Sequence, residues 1–61
     1  MEETIWLVTF ICDHALISTR VDSNDDNEDT IEQLAINKLL DMVGIDINKL
    51  RIIDIEIEEV N

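Results

Sequence analysis

Residues 50–60 read LRIIDIEIEEV, and their alternation decides how the chain folds. Ile53, Ile55 and Ile57 fall on one side of an extended segment, and Asp54, Glu56 and Glu58 on the other. A period of two with one apolar and one charged side predicts a half-buried β-strand over 50–60. Ile52 and Val60 fall on the acidic side of that pattern.

Just upstream the period changes. Ile31, Leu34, Ala35, Ile36, Leu39, Leu40, Met42 and Val43 recur with a 3.6-residue spacing, which predicts a helix over 30–43 with a broad apolar surface. Thr30 with Gln33 forms one capping box, and Asp29 with Glu32 forms a competing one. Gly44, the only glycine, is expected in the left-handed position past the last turn, with Ile45 packing back.

At the other end, residues 4–12 (TIWLVTFIC) are β-branched, aromatic and aliphatic, a strong strand signal. Residues 15–21 (ALISTRV) read as a second strand, with Asp13-His14 as the turn. A two-residue turn sets Cys12 opposite Ala15, Phe10 opposite Ile17, Val8 opposite Thr19 and Trp6 opposite Val21. Asp-His is not a favoured turn pair, and a slip of one residue would turn one arm over.

The expected fold is therefore a single α+β domain over 1–61, a small ββαβ unit. Its three-stranded antiparallel sheet has the order 2-1-3, with one helix packed on one face. Setting the last strand beside the second instead would make a parallel pair and leave the most apolar strand at an edge. The helix-facing set is Trp6, Val8, Phe10, Ile17, Val21, Ile53, Ile55 and Ile57. Ile5, Leu7, Ile11, Leu16 and Ile52 remain on the opposite face with no element to cover them. Such a patch implies association, so a homodimer joined through sheet faces or edges is expected.

Composition supports a core and narrows the partners. Of 61 residues, 46% are hydrophobic and eleven are isoleucine, enough apolar material to oppose whole-chain disorder. Fifteen acids against four bases give a net charge of -11. That field disfavours direct nucleic-acid binding and acidic membrane surfaces. The scattered bases Arg20, Lys38, Lys49 and Arg51 provide no basic track. No apolar run approaches a membrane span and no basic leader precedes one, so a cytoplasmic location, the organism's own or an infected host's, is the default.

Catalytic signals are poor. No cofactor is implied, because the chain has no glycine-rich phosphate loop and no Cys-x-x-Cys pair. Cys12 and His14 supply two potential metal ligands where a structural zinc site wants four. Asp22, Asn24 and Asp26 match alternate ligands of a calcium loop, but Asn27 and Gln33 occupy the positions of its glycine and bidentate glutamate. A non-enzymatic chain with no assigned catalytic or metal residue is expected.

The acidity itself is the functional candidate. Residues 22–29 (DSNDDNED) carry five acids, and the last strand adds an acidic ladder. Neighbouring ladder residues lie about 6.5–7 Å apart, close to the separation of successive phosphates along a DNA strand. Asp25, Asp26, Glu28, Asp54, Glu56, Glu58 and Glu59 are thus the expected partner-binding surface for a basic protein. In size and charge, though not in any diagnostic motif, the chain resembles small acidic nucleic-acid mimics such as those phages use as inhibitors of host defence. The alternative is a small structural or regulatory subunit that docks through its open sheet face, with acidity serving solubility.

Overall fold

The computed structural model describes residues 3–60. Strand β1 (Thr4–Cys12) and strand β2 (Leu16–Ser23) form a hairpin, and helix α1 (Glu28–Lys38) follows. A π-helical turn (Leu39–Val43) and a 3-10 turn (Ile47–Lys49) lead into strand β3 (Ile52–Glu59). The sheet order is β2-β1-β3 with both pairings antiparallel. This is the expected ββαβ architecture, and the most apolar strand is central.

The hairpin closes on Asp13 and His14, with the Cys12 amide donating to the Ala15 carbonyl at 2.8 Å. Trp6 pairs with Val21, Val8 with Thr19 and Phe10 with Ile17. Even-numbered β1 residues therefore face the helix, where Val8, Phe10, Cys12, Val21, Ile31, Ala35, Leu39 and Ile47 form the buried core. Trp6, Ile17, Ile36, Ile45, Ile52, Ile55 and Ile57 pack around it.

The end of β3 nearest the hairpin differs from strict alternation. Ile11 pairs with Asp54 while Cys12 pairs with Ile52, so the ladder bulges and Ile53 is the extra residue. Ile52 consequently packs against the core, and Ile53 is 65% exposed. The expected helix-facing position of Ile53 and the expected dimer-face position of Ile52 are both corrected. A bulge inserts one residue and so reverses the parity of everything before it.

Helix α1 begins earlier than the capping boxes suggested. Asn27 is the N-cap, its Oδ1 accepting from the Asp29 amide at 2.9 Å. Neither Thr30 nor Asp29 caps; both lie within the first helical turns. At the other end the backbone widens to π geometry. Each π residue turns through a smaller angle than an α residue, so the 3.6-residue repeat does not carry past Leu39. Leu39 stays buried, whereas Leu40, Met42 (75% exposed) and Val43 face solvent, contrary to their expected place in the core layer.

Gly44 ends the turn at φ 77°, ψ 19°, the left-handed conformation expected of it. The Gly44 and Ile45 amides both donate to the Leu39 carbonyl, the latter at 3.0 Å, and Ile45 packs on the core. Asp46 then caps the 3-10 turn through a 3.0 Å bond from the Asn48 amide. That turn seats Ile47 fully in the core, in a segment where periodicity marks no buried position.

Candidate protein-binding surface

The register arranges the sheet face opposite the helix into rows. Leu16, Ile11 and Asp54 form one row; Ser18, Thr9 and Glu56 the next; Arg20, Leu7 and Glu58 the third. Asp22 and Ile5 continue the pattern, and the Val60 amide donates to the Ile5 carbonyl at 2.9 Å. The centre is apolar and half-buried, one rim is carboxylate, and the other rim is mixed. Leu16, on that mixed rim, is 71% exposed. Thr9 and Ser18 join their hydroxyls across the face at 3.0 Å.

Asp54, Glu56 and Glu58 are all exposed on β3 and held in register by their pairing with β1. Glu59 has the parity of Ile55 and Ile57 and so lies on the helix side of β3, apart from the ladder. Asp25, Asp26 and Glu28 are exposed beyond the end of β2. Because Ser23 pairs with Thr4 and Glu58 with Leu7, both acidic groups approach the end of the sheet where β1 begins. They occupy opposite edges, about 10 Å apart across the central strand. Asp22 joins the open face because β2 continues to Ser23, beyond the expected end at 21.

The 22–29 segment is built from local bonds rather than left as a free connection. Ser23 Oγ accepts from the Asp25 amide at 3.1 Å and donates to the Asp25 carbonyl at 3.0 Å. Asp25 Oδ1 accepts from the Asn27 amide at 2.9 Å, which leads directly into the helix cap. Short polar side chains bonding amides two residues ahead produce this succession of turns.

Both sheet edges carry a plug. Odd-numbered β1 residues bond to β3, so the amides of Ile55 and Ile57 point outward. Asp54 Oδ1 accepts from the Ile55 amide at 2.9 Å. On the other edge the Lys38 ammonium donates to the outward carbonyl of Arg20. Occupied edge groups and repeated charge oppose strand addition by another chain.

Groups that suggested chemistry lie apart from this surface. Cys12 is buried and its Sγ donates a long bond to the Phe10 carbonyl at 3.9 Å. His14 is 95% exposed at the turn, with Nε2 3.8 Å from Asp13 Oδ2. Among the described residues no group of His, Cys, Asp and Glu is arranged to hold a metal ion. An open depression lined by Asp29, Thr30, Gln33, Leu34 and Asn37 belongs to one side of α1 alone. Among the described residues no helix is long and apolar enough to cross a membrane. Comparison with protein-family models, curated proteins and solved structures gives no match for this chain.

Proposed function

We propose that this chain is a non-catalytic, acidic protein-binding protein that occupies the basic groove of a nucleic-acid-binding protein. The observation that carries the proposal is the ladder of Asp54, Glu56 and Glu58, exposed along an edge strand whose backbone is held by β1. Fixed charges at a regular repeat present a negative field without the entropy cost of ordering a flexible acidic tail. Electrostatic attraction then accelerates encounter with a basic surface and selects it over neutral ones. Asp25, Asp26 and Glu28 extend the field at the β1-start end of the sheet, and Glu59 extends it toward the helix side. A cytoplasmic setting, the cell's own or an infected host's, suits such an inhibitor.

The second reading, a structural or regulatory subunit docking through its open face, draws on half-exposed Leu7 and Ile11 and exposed Leu16. Capture from a lysate of the source cells, with and without duplex DNA as competitor, separates the two. The mimic reading expects a basic, nucleic-acid-binding protein that DNA displaces and that Asp54→Asn/Glu56→Gln/Glu58→Gln no longer retains. Retention insensitive to both, but lost on Leu7→Ser, replaces it with the docking subunit.

A further inference from the structure

We propose that the open sheet face, when no basic partner occupies its acidic ladder, packs against the same face of a second copy, about a two-fold axis running along the strands. The plugged edges at Arg20 and Ile55 direct association away from strand addition and toward the face. That face has an apolar centre, with Leu7 and Ile11 half-exposed on β1 and Leu16 exposed beside Ile11.

Charge selects the axis. Facing sheets pack about 10 Å apart with their strands near alignment. An axis across the strands would lay β3 over its own copy and oppose six carboxylates. An axis along the strands lays β3 over the partner's β2 and keeps each row opposite itself. Arg20 and Glu58 flank Leu7 in one row, so each Arg20 then meets the Glu58 of the second copy, twice. In the other rows Asp54 meets Leu16, Glu56 meets Ser18, and Asp22 meets Val60. No like charges stand directly opposed.

Three strands about 4.8 Å apart and roughly eight residues long span about 400 Å² per protomer. Two such faces total about 800 Å², below the roughly 1,200–2,000 Å² of stable specific interfaces, so the dimer is weak and concentration-dependent. Two chains of -11 also repel at long range, and salt screens that repulsion.

Sedimentation equilibrium up to millimolar concentration tests the arrangement, with circular dichroism and thermal melts confirming that each variant folds. Wild-type protein is expected to dimerise, more tightly as salt rises. Glu58→Arg makes every chain less negative, so general repulsion alone predicts tighter association. The proposed axis predicts the opposite, at least about tenfold weakening, because two arginines then face each other. Glu56→Arg, placed opposite Ser18, leaves association unchanged or tighter. The double variant Arg20→Glu/Glu58→Arg restores wild-type affinity to within about threefold. A wild-type protein monomeric throughout, a Glu58→Arg dimer as tight as wild type, or a double variant without recovery overturns the proposal.

Discussion

Val8, Phe10 and Cys12 on one side of β1 are buried beneath the helix, while Leu7, Thr9 and Ile11, one residue back in each case, remain half-exposed. Both sets are largely apolar, so their own chemistry does not separate them. The separation comes from supply: α1 and the turn after it cover one face, and no described element covers the other. On the covered face the neighbours of β1 include Ile17, Val21, Ile55 and Ile57, with Thr19 and Glu59 among them; on the open face they include Arg20, Asp54, Glu56 and Glu58, with Leu16 and Ser18 among them. A central strand apolar on both sides thus lies between one edge strand that is acidic on the open face and another that is mixed there.

Mutations on the two sides should diverge most at Phe10. Phe10→Ala empties a fully buried site and should cost about 3–5 kcal/mol, comparable with the roughly 3–9 kcal/mol available to a chain of this length. Leu7→Ala should cost about 1 kcal/mol. Urea melts giving equal losses would show that both faces are covered.

The covered face also depends on how the helix ends. An added Cβ at Gly44 meets nothing within 4 Å, so its substitution is penalised by conformation rather than by space. Gly44→Val should destabilise by about 1–2 kcal/mol in thermal melts. The bulge offers a sharper contrast between adjacent isoleucines: Ile52→Ser should cost about 1–2 kcal/mol, and Ile53→Ser less than about 0.5. The reverse order, measured by chemical denaturation, would restore strict alternation through β3.

At the helix start, Asn27→Ala should lose about 1 kcal/mol, while Thr30→Ala changes little; comparing their melting temperatures locates the cap. The smallest effect belongs to the acidic rim. Asp54→Asn/Glu56→Gln/Glu58→Gln keeps an acceptor beside the Ile55 amide and should leave stability within about 0.5 kcal/mol. A large loss there would show that the ladder serves folding instead of binding.

The hairpin register, the strand order and the left-handed Gly44 were legible in the chain because each follows from short-range rules: alternation, a two-residue turn and a residue without Cβ. The ladder was legible for the same reason, since parity alone places Asp54, Glu56 and Glu58 together. Glu59 follows the same rule, since parity sets it on the side of β3 opposite the ladder. Ile52 and Ile53 exchanged roles because a bulge leaves no compositional mark. Trp6 shows a further limit. It lies on the expected side, yet its ring N–H is buried with no partner among the described residues, an arrangement that costs about 1–3 kcal/mol.

Local pattern by itself determined the elements, most of their facing and the sign of the surface, because φ/ψ preference and side-chain period act over a few residues. Only the tertiary structure decided where the 3.6-residue repeat stops, how Ile47 enters the core, and which amides and carbonyls at the edges are already occupied. Those outcomes depend on how segments far apart in the chain fill one shared volume, and no window of sequence contains that volume.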